Sequence, residues 1–350
     1  DKDVPLTIRM AKLGYHWDDV DEVIRSMAEK GSVPLASMGI DASLACLSKK
    51  DRSFFDYFYQ LFAQVTNPPI DALRETLVTS TVLYLGNHAN LLEDSRKACQ
   101  LIRLEQPLLT RDQFERICSI DRVGFKAQRF SAVYDRAAGE GALEQALTNL
   151  AQSVEKAISQ GVSIVILSDR AADGEVPIPS LLAVSAVHNH LIRVGARTFA
   201  DIVIETGDAL SAHDYAALIG YSASAIYPYM AHECIAHLAE TGELSVSAEE
   251  GIANYNKAVV AGVLAIMSKM GISTVQSYHS AQIFEAVGFT QEFIDTYFAG
   301  TVSRIGGLGV AEVQREENQR YDDALALLKS PSPDQLPTLG LTKWRPQGGE

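Results

Sequence analysis

From about residue 140 onward, the sequence alternates between continuous apolar runs and amphipathic segments that end at glycine. The run VSIVILSD (162–169) is rich in β-branched residues and lacks polar/apolar alternation, which is typical of a strand buried on both faces of a parallel sheet. ADIVIETG (200–207) repeats this pattern, and helical patterns at 143–161 and 180–195 precede the two runs. Because parallel neighbours must be joined by a crossover, the alternation predicts right-handed βαβ units and a parallel sheet.

The alternation continues with shorter signals as far as residue 288. It predicts strands at 222–228 and 272–278. The intervening segments predict helices at 211–220, 229–242, 247–271 and 280–288. About four to six strands are readable, whereas a complete (β/α)₈ barrel has eight. We therefore expect an α/β fold, specifically a rudimentary or incomplete TIM-barrel-like domain with a helical N-terminal part.

The N-terminal third carries mostly helical patterns. HWDDVDEVIRSMAEKG (16–31) has apolar residues at helical spacing and a terminal glycine. FFDYFYQLFAQV (54–65) is apolar almost all round, which favours a buried helix that Pro68 and the proline after it must end. Asp71 is placed to cap a following helix that runs to Gly86. A further helical pattern begins after Thr110, a predicted N-cap.

These patterns divide the chain into three parts. Residues 1–140 form a mostly helical N-terminal part, and residues 141–325 form a βαβ-repeat part that we expect to be a partial barrel. Proline, glycine and polar residues dominate 326–350, which predicts a linker or C-terminal arm. Because the chain begins at Asp1 and Met10 falls within a pattern, we expect a fragment of a larger multidomain protein.

Charge and composition disfavour several classes of partner. The net charge of −14 would repel nucleic acid and anionic membranes over most of the surface. No apolar run approaches the roughly 20 residues that span a bilayer. The four cysteines are widely spaced and contain no C-x-x-C pair, so they build neither a zinc site nor an iron–sulfur cluster alone. We expect an acidic, soluble protein without nucleic-acid or membrane partners.

Two pairs of histidines resemble metal motifs but have unsuitable spacing. His188 and His190 are two residues apart in a predicted helix, so they point to different faces. His232 and His237 are five apart, which separates them by roughly 140° around a helix, whereas the metalloprotease motif H-E-x-x-H places its histidines four apart. Neither pair predicts a metal site.

Three other motifs have both a chemical and a structural interpretation. Asp169 and Arg170 end a predicted strand, where α/β enzymes carry catalytic residues, but they also suit a loop cap and an ion pair. Lys269 lies in the last turn of a predicted helix, where a cation complements the helix dipole. RIGGLGV (304–310) is glycine-rich like a phosphate loop but lacks G-x-G-x-x-G spacing. The residues alone therefore assign no catalytic, cofactor-binding or metal-binding residue.

Longer stretches resemble the central domain of the glutamate synthase large chain, and they occur in order over roughly residues 15–325. The matching stretches are PLASMGIDASLACLS (34–48), DYFYQLFAQVTNPPIDALRE (56–75), ILSDR (166–170), PIPSLLAVSAVHNHLIR (177–193), MSKMGISTVQSYHSAQIFEAVGF (267–289) and GTVSRIGGLG (300–309). The sequence departs from the common family pattern at Ala72, where proline is frequent.

The resemblance implies one module of a larger enzyme that makes L-glutamate from glutamine and 2-oxoglutarate. In this family an amidotransferase domain releases ammonia from glutamine, and an FMN-binding (β/α)₈ barrel near an iron–sulfur cluster reduces 2-iminoglutarate. The central domain joins the two and helps to form the ammonia channel. We therefore expect this segment to hold no cofactor and to be catalytically inactive alone, while the full-length enzyme carries FMN and the iron–sulfur cluster.

The same resemblance implies channel residues, partners and location. It places Thr66, just before the double proline, and Met38 at the ammonia channel. The implied partners are the amidotransferase and FMN-binding domains of the same chain, with a small NADPH-oxidising subunit or ferredoxin for the full enzyme. The implied location is the cytoplasm, or the plastid stroma in a photosynthetic eukaryote. The alternatives are an independent barrel-type enzyme that binds FMN or a phosphorylated ligand through Arg304–Gly309, and an interaction module that uses the tail.

Overall fold

The computed structural model describes residues 4–35, 42–61, 68–90, 92–93 and 96–341. The α-helices of this part are α1 (Leu6–Lys12), α2 (Ser26–Lys30), α3 (Ala72–Val78), α4 (Arg111–Cys118), α5 (Ala142–Ser159), α6 (Ser180–Arg193), α7 (Ala212–Gly220), α8 (Tyr229–Glu240), α9 (Ala248–Lys269), α10 (Val275–Tyr278), α11 (Gln291–Tyr297) and α12 (Val310–Leu327). The strands are β1 (Phe58–Gln60), β2 (Leu83–Gly86), β3 (Leu101–Leu104), β4 (Asp121–Arg122), β5 (Phe125–Ser131), β6 (Val133–Asp135), β7 (Ile164–Ser168), β8 (Glu175–Pro177), β9 (Asp201–Thr206), β10 (Ala225–Pro228), β11 (Phe284–Ala286) and β12 (Val302–Ser303).

The core of the fold is a sheet in the order β10-β9-β7-β5-β4. Its first four strands are mutually parallel, and the short β4 pairs antiparallel with β5. Every residue of β7 and β9 is buried, which explains why both appear in the sequence as unbroken apolar runs. The predicted α/β class, the parallel sheet and the strands at 162–169 and 200–207 are confirmed.

One further contact extends the sheet beyond β10. Leu109 N donates to Ile226 O at 2.8 Å, and Ile226 N donates to Pro107 O at 2.8 Å, so Leu108 forms a single parallel bridge with Ile226. The chain then passes through α4 and β4 into β5, which lies towards the opposite edge of the same sheet. The segment before α4 thus contacts the β10 edge of the sheet, whereas the strand that follows α4 and β4, β5, lies towards the opposite edge.

The helix predicted over 54–65 is wrong for its described residues, 54–61. A 3₁₀ turn is followed by β1, which pairs antiparallel with β11 and aligns Phe58 with Ala286. The aromatic side chains pack against others from distant parts of the chain, with ring centroids of Phe58 and Phe298 4.8 Å apart. Aromatic residues suit a pleated, buried surface, and this long-range packing overrides the local helical pattern.

The helix predicted to run to Gly86 ends at Val78, and residues 83–86 form β2. The break follows from the polar, β-branched residues after Val78, because Ser80 N donates to Ser273 O at 2.8 Å instead of continuing the helix. The predicted cap is confirmed: the Asp71 side chain accepts from two backbone N–H groups of α3. Thr110 also caps α4, through a reciprocal pair of hydrogen bonds with Gln113.

The strand predicted at 272–278 and the helix predicted at 280–288 are both wrong. Residues 275–278 form the short helix α10, and residues 284–286 form β11 between β1 and β12. Ser280 and Gln282 have φ angles of 55° and 54°, a left-handed conformation that interrupts any helix. Gly220 O accepts the N–H of Ser280 at 3.0 Å, so tertiary contacts hold this turn.

The helical prediction for residues 16–31 is confirmed, although its first half is a π-helix, Asp19–Arg25, followed by α2. Gly31 ends α2 with φ +61°, as a glycine stop requires. No helix in the described ranges is long and apolar enough to cross a membrane.

The beginning and the end of the described chain lie side by side. Trp17 N donates to Pro337 O at 2.9 Å, and Gly340 N donates to a carboxylate oxygen of Asp18 at 2.9 Å. The helix α12, which precedes this C-terminal segment, packs against α1. Residues 328–341 contain neither helix nor strand and contact the N-terminal segment.

A buried arginine attaches α12 to the N-terminal half. Arg320 donates to Asp51 from Nε at 3.0 Å and from a terminal nitrogen at 2.8 Å. It also donates to Glu317 at 2.5 Å and to the backbone oxygen of Arg52 at 2.9 Å. Its side chain is only 8% exposed, so the fold buries a guanidinium that carboxylates and a carbonyl satisfy.

Candidate functional site

Polar side chains gather where the parallel strands β7 and β9 end. Ser168, Asp169 and Arg170 close β7, and Glu205 and Thr206 close β9. Because the carboxyl ends of parallel strands share one edge of the sheet, these residues meet, and this edge is where α/β proteins bind ligands. We call this group, together with Arg129, Asp208, Tyr229 and Glu233, the carboxyl-edge cluster.

Glu205 is the anionic centre of the carboxyl-edge cluster and is 2% exposed. It accepts hydrogen bonds from Arg129, from Ser168 Oγ at 2.7 Å and from Arg170 Nε at 2.6 Å. Arg170 continues to Glu233 at 3.2 Å, and its guanidinium carbon lies 3.7 Å from the ring centroid of Tyr229. The network therefore neutralises the buried carboxylate and fixes both arginines.

Arg170 does not exchange a proton at ordinary pH. Burial works against its charge, but the hydrogen bond and the charge of Glu205 outweigh burial and raise the pKa of Arg170 above its ordinary value. The strand-end position that suggested catalysis thus holds a permanent cation in an ion-pair network. Arg170 is suited to binding an anion rather than to acid–base chemistry.

Asp169 is a buried carboxyl group with an unusual protonation state. Burial, assisted by the nearby charge of Asp208, raises the pKa of Asp169 to about 8. Thr206 Oγ1 lies 2.8 Å from Asp169 and 2.7 Å from Asp208, but a hydroxyl has one hydrogen to donate. A proton on Asp169 Oδ2 resolves this conflict, because it can donate to Thr206 Oγ1 while Thr206 donates to Asp208. We therefore assign Asp169 as neutral at pH 7.

A second polar group lies at the opposite end of the sheet, where β9 begins. Asp201 is 5% exposed and accepts from Gly86 N at 2.9 Å, from His88 Nε2 at 2.8 Å and from Ser224 Oγ at 3.0 Å. Arg197 lies 3.7 Å away. Burial works against ionisation, but His88 and Arg197 outweigh it and lower the pKa of Asp201. This group ties β2 and the loop before β9 to the sheet.

His188 and Ser280 lie within hydrogen-bond distance but do not form a nucleophile–base pair. Arg197 Nε donates to His188 Nδ1 at 2.9 Å, so the neutral imidazole carries its hydrogen on Nε2. That nitrogen lies 3.0 Å from Ser280 Oγ and must donate to it. Burial, together with the charges of Arg197 and His279, lowers the pKa of His188 to about 3. A histidine that donates to a serine cannot remove its proton.

We expect the His88–Asp201 pair to make stability depend on pH. The hydrogen bond with Asp201 raises the pKa of His88 against the effect of burial. Its contribution is fully present below the unfolded pKa near 6.5 and is lost as pH rises through the raised folded pKa. In urea unfolding, the stability difference between wild type and His88→Asn should be about 1 kcal/mol near pH 6, given the partial exposure of His88, and should shrink towards pH 9. A difference that grows with pH would contradict this.

The described contacts of the other histidines in the two candidate metal motifs do not bring them to a common partner. His190 Nε2 contacts Glu155 at 2.7 Å, on a different face of α6 from His188. His232 Nε2 contacts Asn256 at 2.8 Å, and burial lowers the pKa of His232 to about 4. Within the described residues, no three histidine, cysteine, aspartate or glutamate side chains are grouped to hold a metal ion.

The remaining candidates from the sequence are placed as follows. Lys269 is exposed at the last residue of α9, where it complements the helix dipole. Arg304 is 74% exposed and contacts Glu285 at 3.2 Å. The predicted channel residues Thr66 and Met38 lie outside the described residues.

Sequence reasoning missed Glu205, Asp208 and Arg9, and it considered Glu233 only as the glutamate beside His232 in the rejected metalloprotease pattern. Glu205 and Asp208 carried a usable signal, because they follow the second predicted strand just as Asp169 follows the first. Arg9 and Glu233 come together from residues 224 positions apart, with 2.6 Å between Arg9 and the Glu233 carboxylate. Only the folded chain, which brings α1 and α8 together at this ion pair, reveals them.

Comparison with solved structures gives low similarity. The recombinant flavin-binding domain of baker's yeast flavocytochrome b2 aligns with a TM-score of 0.31 and 14% identity, over 47% of this chain and 37% of that chain. GMP reductase from Trypanosoma brucei aligns with a TM-score of 0.30 and 14% identity, over 53% and 49%. At this level of similarity, neither alignment supports a conclusion about fold or function.

Sequence comparison is much more informative. The "Glutamate synthase [NADPH] large chain" of Bacillus subtilis (strain 168) is 44% identical over 99% of this chain and 22% of its own length. "Ferredoxin-dependent glutamate synthase 2" of Synechocystis and "Glutamate synthase [NADH]" of Schizosaccharomyces pombe are 40% and 37% identical, over 98% and 99% of this chain and 22% and 17% of their own lengths. The chain thus spans about a fifth of these relatives. The family model for the glutamate synthase central domain matches residues 8–290, and this chain therefore belongs to that family.

Proposed function

We propose that this chain is the connecting domain of an enzyme that makes L-glutamate from glutamine and 2-oxoglutarate. It would link a glutamine amidotransferase domain to an FMN-binding synthase domain and help to form the ammonia channel between them. One observation carries this proposal: almost the whole chain aligns with glutamate synthases, yet it accounts for only 22% of the length of the Bacillus subtilis relative. The amidotransferase and synthase domains would lie in the remainder, together with FMN and the iron–sulfur cluster.

The polar groups at both ends of the sheet support a connecting role without catalysis in this segment. The Glu205 carboxylate already accepts hydrogen bonds from two arginines and a serine hydroxyl. His188 is held in the tautomer that donates to Ser280. Groups that are paired in this way stabilise a fold but do not take up a substrate proton. A stable fold also suits the wall of a channel, because the wall must keep ammonia from bulk water, where it is protonated and lost.

We further propose that the fold is a rudimentary (β/α) barrel. Four parallel strands follow one another in the sheet, and the bridge between Leu108 and Ile226 adds one pair at the β10 edge. Since the segment around Leu108 leads through α4 to β5, this pair supports a curled sheet whose ends approach each other. A complete barrel has eight strands, so the curled sheet would be a partial version.

The choice of electron donor would lie outside this segment. The names of the relatives specify NADPH, NADH or ferredoxin, and the chain is 37–44% identical to one relative of each kind. We propose that a small NADPH-oxidising subunit or ferredoxin acts on other parts of the full enzyme. The location would be the cytoplasm, or the plastid stroma as for the relatives named chloroplastic.

Thr66→Val in the full-length enzyme tests the channel role. If Thr66 contributes to the ammonia path, the variant should hydrolyse more glutamine than it converts to glutamate, whereas the wild type should keep the two rates equal. The measurement is the ratio of glutamine consumed to 2-oxoglutarate consumed, with circular dichroism to verify folding. Thr148→Val is the matched control, because Thr148 is exposed on α5. Equal rates in Thr66→Val would reject the role assigned to Thr66.

A further inference from the structure

A small cavity of about 80 Å³ lies beside the carboxyl-edge cluster. The side chains of Arg9 and Lys12 from α1, of Asp169 and Arg170 after β7, and of Tyr229 at the start of α8 line it. About 10–15 Å³ of such space is enough for one water molecule, so the cavity has room for several waters or one small polyatomic group.

Three of the lining residues are cations, and the described residues neutralise two of them, Arg9 and Lys12, only in part. Arg9 donates to Glu233 from a terminal nitrogen at 2.6 Å, but its buried Nε has no described partner. Lys12 is 11% exposed, and its closest carboxylate, that of Asp173, lies 4.0 Å away and is 86% exposed. Arg170 is paired with Glu205 at 2.6 Å and shares Glu233 with Arg9. An anion in the cavity would gain attraction from all three.

The helix α8 adds positive potential to the same wall. It begins at Tyr229, and its N-cap, Pro228, supplies no side-chain hydrogen bond to the first turn. The start of helix α6 is different, because Asp208 accepts from the backbone N–H of Ser180 at 2.9 Å. The free N–H groups at the start of a twelve-residue helix favour an anion.

Asp169 contributes a feature that a simple cation pocket lacks. Its Oδ2 is occupied by Thr206 and by Gly207 N at 2.7 Å. Its Oδ1 is buried and has no hydrogen bond of ordinary geometry from any described residue, although the Tyr229 hydroxyl interacts with the carboxyl group closely enough to lower the pKa of Asp169. With the proton on Oδ2, Oδ1 is an unpaired acceptor, and leaving a buried acceptor without a partner destabilises the fold.

We propose that this cavity binds a small oxyanion that also carries a hydrogen-bond donor, such as hydrogen phosphate or an α-hydroxy or α-amino carboxylate. The oxyanion oxygens would contact Arg9, Lys12 and the α8 N-terminus, and the donor would satisfy Asp169 Oδ1. A bare oxyanion such as sulfate would leave that acceptor unpaired and would place two acceptors together. The site is independent of the connecting role, which requires no ligand in this segment.

Acetylation of Lys12 in the full-length chain provides a local measurement. We expect phosphate to slow the modification of Lys12 by an acetyl-NHS ester by at least about threefold once its concentration is a few times the dissociation constant. Sulfate at equal ionic strength should protect much less, and glycolate should protect more than acetate. Mass spectrometry quantifies each lysine, with the exposed Lys269 as an internal reference. The phosphate and glycolate arms distinguish the two sources of the anion.

Two variants, Arg9→Met and Asp169→Asn, and one control variant make the test more specific. Arg9→Met should abolish protection of Lys12, whereas Arg136→Met, which removes an exposed arginine paired with Asp322, should not. Asp169→Asn should reverse the preference towards sulfate. Gly207 N requires an acceptor at Oδ2, so the amide NH₂ must occupy the Oδ1 position and become a donor. Equal protection of wild-type Lys12 by phosphate, sulfate and chloride at matched ionic strength would overturn the proposal.

Discussion

Replacing Arg320 with methionine should lower the free energy of unfolding by about 3–5 kcal/mol, because it removes one partner from a buried ion network. Arg320 satisfies Glu317, whose side chain is 7% exposed, and Asp51 from the N-terminal half. Burial already raises the pKa of Glu317 to about 7 in the presence of the arginine. Methionine fills similar space but leaves both carboxylates without their cation, and α12 loses its hydrogen bonds to residues 51 and 52.

Urea denaturation at pH 7.5, followed by circular dichroism, measures this loss. Arg136→Met is the matched control, because Arg136 also pairs with α12, through Asp322, but the two side chains are 36% and 49% exposed. Exposed pairs contribute at most about 1 kcal/mol, so the control should unfold near the wild-type midpoint. If the two variants lose equal stability, Arg320 does not hold α12 in place.

Asp201→Ala should cost a similar amount, about 3–5 kcal/mol, at the opposite end of the sheet. The carboxylate accepts three hydrogen bonds and is the counter-ion of Arg197, whose side chain is 18% exposed. Alanine leaves that guanidinium without its counter-ion and the backbone N–H of Gly86 without its acceptor. Asp201→Asn should lose less, because its amide oxygen still accepts from one donor.

A double-mutant cycle separates the lost pair from the general effect of substitution. Asp201→Ala combined with Arg197→Met should cost clearly less than the sum of the two single variants, since removing both charges leaves none buried alone. Glu155→Ala is the control, because Glu155 pairs with His190 at the surface and is 43% exposed. Additive losses in the Asp201–Arg197 cycle would show that the two residues act independently.

The sequence predicted the strands that are buried on both faces and missed those that are not. β7 and β9 are buried throughout and appear as unbroken apolar runs. β5 was not recognised, because only Phe130 among its seven residues is buried and the remaining positions are polar or small. β1 and β11 are separated by more than 220 residues, and β11 is the strand with which β1 pairs in the described sheet. Local patterns cannot carry that information.

Only part of the candidate site could likewise be predicted from the sequence. Asp169 and Arg170 could be identified from their position after a predicted strand, and they lie at the carboxyl edge as expected. The cavity beside them also needs Arg9 and Lys12, which α1 brings from the start of the chain. The channel residues came from resemblance alone, so Thr66→Val remains their test.

The contacts between residues 17–18 and 337–340 have a consequence for a longer chain. A covalent path of more than 300 residues leaves one side of the molecule and returns to the same side, where Gly340 binds Asp18 across 322 positions of sequence. Segments joined before and after this part of the chain would therefore begin close to each other on the same side of the domain. Their separation would be set by these hydrogen bonds and by the packing of α12 against α1.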